Sequence, residues 1–216
     1  MRVFQPIADP YRSLSGVCAL LGTQYVSTML VPRPPSTVHF VVTEPDLGGN
    51  GAQYPELFEI DNDMANAIPP ARRYGPLSGH ALTVTPYPDV RDRLQALPSL
   101  VLPCDGDDVS VLLTPQLSGC TLVYLPSTAA RREVRIIHIR PIGLRDGHEL
   151  QDILLAAQAQ FAGAPGAVRL YGRNDCGTTN VNILGLRQGN RWSLVLQRFV
   201  QHGTALGAEL LPLYDP

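Results

Sequence analysis

Short apolar runs, each about the length of a β-strand, recur through this chain, and only one segment has the spacing of a long helix. The runs are rich in β-branched residues and are bounded by Gly, Pro, Asp and Asn, which is typical of strands. Predicted strands lie at 37–43, 82–85, 109–114, 120–125, 134–140, 168–171, 181–185 and 192–199, with a further short element at 206–214.

The one long helix is predicted at 149–161, where apolar residues recur every three or four positions before Gly163 and Pro165 end the pattern. A shorter helix is predicted at 89–97. Residues 52–80 carry four prolines and are expected to be irregular or to form short elements. Many short strands with few helices predict a β-rich α+β domain, and no phosphate-binding glycine motif is present.

Length and composition are those of a single globular domain. At 216 residues, with 44% hydrophobic and 17% charged residues, the chain predicts one domain over 1–216. The net charge of −2 gives no general attraction to nucleic acid or to an anionic membrane. No apolar run reaches the ~20 residues of a membrane span, and no classical signal peptide is evident. We therefore expect a monomer that binds neither nucleic acid nor membrane.

Four cysteines, Cys18, Cys104, Cys120 and Cys176, are widely spaced, and no CxxC or CxxH pair occurs. The spacing of structural zinc ligands is therefore missing, and we expect no metal and no cofactor. A core of this size does not need disulfides, so we expect the thiols to be free.

All 17 basic residues are arginine. One explanation is a GC-rich genome, which favours arginine codons. The other is work inside a eukaryotic cytosol, where lysine is the site of ubiquitin attachment. The sequence does not decide between them.

A sharp bend at Ser118-Gly119 separates two apolar runs and leads directly into Cys120. A histidine, His138, lies in a following run that also reads as a strand. One cysteine and one histidine on neighbouring strands are the minimal parts of a thiol nucleophile with its base. Thr114 could orient the imidazole, and backbone N–H groups at Ser118 and Gly119 are candidate oxyanion donors.

Each of these residues also has an ordinary structural interpretation. Cys120 could be a buried apolar thiol, His138 a core histidine bonded to a carbonyl, and Thr114 a plain strand threonine. His80 is an alternative base. It lies in a glycine-containing segment that we expect to be an exposed turn, where histidines are usually inert.

These residues resemble the active-site pattern of the Burkholderia lethal factor and of the catalytic domain of the cytotoxic necrotizing factors, two groups of bacterial glutamine deamidase toxins. The resemblance rests on Thr114, Leu117-Ser118-Gly119-Cys120 and a histidine on the next strand, of which the Leu-Ser-Gly-Cys core is common to both groups. Thr114 matches the orienting position of the lethal factor, which a backbone carbonyl fills in the necrotizing factors. The resemblance covers roughly residues 101–200 and leaves 1–100 as a divergent half. Further matching residues favour the lethal factor, namely Tyr171-Gly172-Arg173-Asn174-Asp175, Gly177, Gly185-Leu186-Arg187-Gln188 and Ser193-Leu194.

The resemblance implies a β-sandwich core flanked by helices and a chain that converts a host glutamine to glutamate. In that pattern Cys120 is the nucleophile, His138 the acid–base group and Thr114 the group that orients the imidazole. The implied substrate is a host protein such as a translation-initiation helicase or a Rho-type GTPase. The implied location is the host cytosol, after secretion or injection from a bacterium.

Two other functions fit the same residues. One is a different Cys-His enzyme, either a cysteine protease or a transglutaminase. The other is a non-enzymatic β-sandwich binding module with a buried cysteine. The reactivity of Cys120 separates the enzymes from the binding module, and analysis of the product separates deamidation from proteolysis.

Overall fold

The structure is a computed structural model that describes residues 27–29, 36–43, 56–59, 73–92, 99–105, 109–161, 167–177, 179–198 and 207–215. The strands in these ranges are β1 (Ser27–Met29), β2 (Ser36–Thr43), β3 (Glu56–Glu59), β4 (Arg73–Ala81), β5 (Val84–Pro86), β6 (Leu100–Pro103), β7 (Val111–Leu113), β8 (Thr121–Leu125), β9 (Glu133–Arg140), β10 (Arg169–Tyr171), β11 (Val181–Gln188), β12 (Arg191–Arg198) and β13 (Gly207–Pro212). The helices are α1 (Tyr87–Arg91), α2 (Gly147–Ala156) and α3 (Arg173–Cys176), with a 3-10 turn at Gln158–Gln160.

The strands form two mixed sheets. An eight-stranded sheet has the order β1-β3-β2-β4-β7-β11-β12-β13, and a five-stranded sheet has the order β10-β8-β9-β5, with β6 also paired to β9. Most pairs are antiparallel, whereas β1/β3, β4/β7 and β5/β9 are parallel. The prediction of a β-rich α+β fold is therefore confirmed.

The main core contains residues of both sheets. Leu112, Ile183 and Leu194 come from the eight-stranded sheet, and Leu122 and Ile136 from the five-stranded sheet. On β8 and β9 these core residues occupy even-numbered positions, as the two-residue period of a strand requires. Cys120 and His138 are even-numbered too, so the inter-sheet core and the candidate site share one face.

Odd-numbered positions of β8 and β9 form a second core under the helices. Val123 and Ile137 pack there with Leu150 and Leu154 of α2. Asp146 caps this helix by accepting a hydrogen bond from the Glu149 N–H. The helix ends at Ala156, before the predicted 161, because the chain tightens there into the 3-10 turn.

The segment 73–81, expected to be irregular, is instead the nine-residue strand β4. Pairing between β2 and β4 shifts register between Phe40 and Val42, so Val41 faces two residues, Gly75 and Pro76. A bulge of this kind accommodates a proline, which cannot donate a ladder hydrogen bond. Pairing with both β2 and β7 thus stabilises the strand although the segment contains a proline.

Other boundaries differ by smaller amounts. The strand expected at 82–85 lies at Val84–Pro86, and the strand expected at 109–114 is confined to Val111–Leu113. Strands β8 and β9 form a hairpin that is closed by a hydrogen bond from Thr128 N–H to the Arg131 carbonyl. The helix expected at 89–97 begins earlier and ends at Arg91, and residues 93–98 lie outside the described ranges, as does Cys18. None of the described helices is long and apolar enough to cross a bilayer.

Candidate active site

Cys120 lies immediately before β8, after the bend at Ser118-Gly119. Gly119 has a φ of 141°, a conformation that side-chain-bearing residues rarely adopt, so glycine is required for this bend. The thiol is 6% exposed and belongs to the inter-sheet core. Its burial raises the pKa of Cys120 to about 11, with opposing contributions from the Arg140 charge and a hydrogen bond from the Ser118 backbone.

His138 lies in the middle of β9 and is fully buried. Its Nδ1 is 2.9 Å from Oγ1 of Thr114, also fully buried, which follows β7 in the other sheet. The Thr114 hydroxyl also points to the Pro115 carbonyl at 3.4 Å. A hydroxyl that donates to that carbonyl accepts from Nδ1–H, and this favours the tautomer with a lone pair on Nε2.

The Nε2 atom of His138 has no hydrogen-bond partner within the described part of the chain. A buried, unpaired ring nitrogen is costly in a structural role, because its desolvation is not compensated. In a base that accepts a proton from a neighbouring group, the same free lone pair is a requirement.

Strand register places Cys120 diagonally beside His138. Leu122 pairs directly with His138, and Cys120 lies two residues before Leu122 on the same face. Diagonal neighbours of this kind are separated by about 7–8 Å between Cα atoms. That distance is within the reach of a thiol and an imidazole extended toward each other. The structure thus joins Thr114 to His138 by a hydrogen bond and places Cys120 on the same face as a diagonal neighbour of His138, without a hydrogen bond to Nε2.

Both groups are neutral in this state. Burial lowers the pKa of His138 to about 3, while it raises the pKa of Cys120 to about 11. A preformed thiolate–imidazolium ion pair, as in the simplest Cys-His mechanism, does not fit these values. A neutral thiol beside a neutral imidazole fits general-base catalysis, in which the proton moves as the bond to sulfur forms.

The two candidate oxyanion positions are in different situations. The Ser118 backbone hydrogen-bonds to the Cys120 sulfur, which favours the thiolate. The Gly119 carbonyl faces Gly147, the first residue of α2. The N-terminal turn of α2 therefore lies against the bend that carries the cysteine.

Gly147→Ala is expected to destabilise the protein by about 1–3 kcal/mol, the usual cost of overpacking. A Cβ on residue 147 would lie 2.8 Å from the Gly119 carbonyl carbon and 2.9 Å from its Cα, both backbone atoms that cannot rotate away. The measurement is urea unfolding of the variant. Leu155→Ala, at an exposed position of the same helix, is the control, with a change within about 0.5 kcal/mol. Equal stability of both variants would contradict this prediction, because the backbone at Ser118-Gly119 would then shift to make room for the added Cβ at little cost.

Residues 173–176 form the one-turn helix α3 beside the site. Its Asp175 carboxylate accepts hydrogen bonds from Gly172 N–H and from the Gln151 amide, each at 2.7 Å. Gly172 leaves no room for a Cβ, which would lie 2.6 Å from Thr121 Oγ1. The Asp three residues after Gly172 could have indicated this turn, because its carboxylate accepts the N-cap backbone N–H.

The alternative base His80 lies in β4 and is 6% exposed, so the expected exposed turn is wrong. Its ring centroid is 6.0 Å from that of Trp192, and its Nδ1 is 3.5 Å from Thr37 Oγ1. Cys104, Cys120 and Cys176 are free thiols. The described residues contain no cluster of His, Cys, Asp and Glu that could hold a metal ion.

Comparison with known proteins assigns the chain to no group. No protein-family model matches the sequence, and the search of curated proteins gives no match. The function must therefore be inferred from the site itself.

Proposed function

We propose that this chain is a bacterial toxin or effector that deamidates a glutamine side chain of a host protein. Cys120 is the nucleophile, His138 the general acid–base group and Thr114 the residue that orients the imidazole. The observation that carries the proposal is the 2.9 Å contact between Thr114 Oγ1 and His138 Nδ1. It leaves Nε2 unpaired on the face that Cys120 shares.

In the first half-reaction Nε2 of His138 takes the Cys120 proton as sulfur attacks the carboxamide carbon. The resulting oxyanion needs N–H donors, and those at Ser118-Gly119-Cys120 are the candidates. The imidazolium then protonates the amide nitrogen, the C–N bond breaks, and ammonia leaves a thioester on Cys120. In the second half-reaction His138 takes a proton from water, hydroxide attacks the thioester, and glutamate and the free thiol are released.

The proposed fold is a β-sandwich related to the necrotizing-factor catalytic domains. In support, one hydrophobic cluster draws on both sheets, and helix α2 covers the outer face of the five-stranded sheet. By the same resemblance the proposed target is a host switch protein, either a Rho-type GTPase or a translation-initiation helicase. The proposed site of action is the host cytosol.

The proposal is tested by mass comparison of host-lysate proteins treated with wild type or with Cys120→Ser. One target glutamine should gain about one mass unit, with release of ammonia, only in the wild-type sample. Backbone cleavage would instead identify a cysteine protease, and a cross-link to an amine a transglutaminase. Indistinguishable samples would refute all three enzymes.

Thr114→Val is expected to lower turnover by roughly 10- to 1000-fold, by analogy with other residues that orient a catalytic histidine. The substitution keeps the β-branched shape and removes the hydroxyl that meets Nδ1. Because Thr114 contacts the imidazole and not the substrate, kcat should fall more than KM rises. Steady-state deamidation measures this, with circular dichroism to verify the fold. Full turnover would mean that another group orients the imidazole.

A non-enzymatic binding module is the second candidate, because Cys120 and His138 are buried and both neutral. In that case the thiol is a core residue and should be inert in the native state. Alkylation of native Cys120 at a rate well above that of Cys176, which is 3% exposed, would exclude this candidate.

A further inference from the structure

Arg140, the last residue of β9, lies beside the candidate nucleophile. The paired residues of β8 and β9 end at Thr121 with Ile139, so the next position of the register places Cys120 opposite Arg140. Both residues have even numbers and share the face of His138. The charge of Arg140 also favours the Cys120 thiolate, which independently indicates that the two groups are close.

The side chain of Arg140 is exposed, and its guanidinium has no hydrogen bond, ion pair or ring contact within the described part of the chain. This distinguishes it from every other arginine whose side chain is described. Some of these pair with a carboxylate, such as Arg135 with Glu133 at 2.8 Å and Arg145 with Asp146 at 3.4 Å. The rest contact a carbonyl, a thiol or an aromatic ring, as Arg187 does with the Cys104 carbonyl.

We propose that Arg140 is a specificity-determining residue that binds a carboxylate next to the target amide. This inference rests on the proposed function and names the substrate class of that site, a glutamine flanked by Asp or Glu on a protein surface. A guanidinium without a partner can donate two parallel N–H hydrogen bonds to the carboxylate of a substrate. Because Cys120 is nearly buried and Arg140 is exposed, substrate enters from the Arg140 end of the strands.

The deciding experiment compares the alkylation of Cys120 by iodoacetate, an anion, and by iodoacetamide, which is neutral. Both reagents attack the same thiolate, so a change in the thiol pKa cancels in the ratio of their rates. A charge ~6 Å away in water is worth about 0.7 kcal/mol, or about threefold in rate. Arg140→Gln should therefore lower the iodoacetate-to-iodoacetamide ratio at Cys120 by about threefold, measured by peptide mass spectrometry.

Arg135→Gln is the matched control. Arg135 is an exposed arginine on the same strand, opposite Leu125 and five residues, or roughly 17 Å, from Arg140. Its loss should leave the ratio unchanged. An unaltered ratio in Arg140→Gln would overturn the inference whether or not the protein deamidates anything. Lack of any reaction at Cys120 would also overturn it, because no substrate could then reach the thiol.

Glutamine peptides flanked by Glu or by Lys supply the substrate test. Wild type should prefer the Glu-flanked peptide, mainly through KM, and Arg140→Glu should reverse the preference. A preference that survives the charge reversal would assign specificity to another residue. Absence of deamidation with any peptide or lysate would count against the proposed function, and the alkylation ratio would still decide the role of Arg140.

Discussion

Cys120→Ser is expected to abolish deamidation, with a loss of at least about 10³-fold, while the protein remains folded. A serine hydroxyl is a far weaker nucleophile than a thiol, and in the proposed mechanism the proton that His138 accepts comes from sulfur at this position. The measurement is ammonia release and target mass by the purified variant. Residual turnover within tenfold of wild type would refute the thioester mechanism.

The matched control is Cys176→Ser. Cys176 lies in the same hydrophobic cluster and is 3% exposed, so its substitution also buries a hydroxyl in place of a thiol. Its stability cost should be similar, about 1–3 kcal/mol if the hydroxyl finds no partner. Turnover should survive. Loss of activity in both variants with equal loss of stability would mean that the effect is one of packing.

His138→Gln is expected to lower turnover by at least about 100-fold, the usual scale for a lost acid–base group. Glutamine fills much of the same volume and can hydrogen-bond to Thr114, so the variant should fold. Activity within a few fold of wild type would move the role of base to His80, the other buried histidine of the described segments.

The same variant should change how stability depends on pH. The folded pKa of His138 is lowered to about 3 by burial, whereas an unfolded histidine titrates near its ordinary value of 6.5. Below pH 6.5 only the unfolded state takes up this proton, so stability is lost as pH falls and levels off near pH 3. The two pKa values predict a loss of about 2 kcal/mol at pH 5 relative to pH 8.

Urea unfolding at pH 8 and pH 5 measures this loss. In His138→Gln the contribution of the imidazole should disappear, so the difference between the two pH values should shrink by about 2 kcal/mol. Parallel profiles for wild type and His138→Gln would show that His138 charges freely in the folded state.

The sequence predicts the strands around the site closely, because their patterns are local. Runs 120–125 and 134–140 match β8 and β9 within one residue, and the hairpin between them fixes their register. The shared face of Cys120 and His138 follows from that register. Arg140 has the same parity as His138, so alternation along the strand could have identified it.

What the sequence could not predict depends on distant strands. Strand β4 forms across a proline because β2 supplies a pairing partner and a bulge in β4 accommodates the proline. The contact of Thr114 with His138 joins residues of different sheets, and no local pattern in the sequence fixes the distance between them. The close approach of α2 to Gly119 requires Gly147, but no local pattern indicates which backbone it meets.

Because the Thr114–His138 hydrogen bond joins residues of the two sheets, the imidazole keeps its orientation only while the sheets keep their spacing. In the proposed mechanism, turnover therefore depends on the packing between the sheets. Partial loosening, by mild denaturant or by a cavity at Leu112 or Ile183, should abolish the proposed activity before the strands unpair. The proposed activity would then be lost earlier than the secondary structure of either sheet.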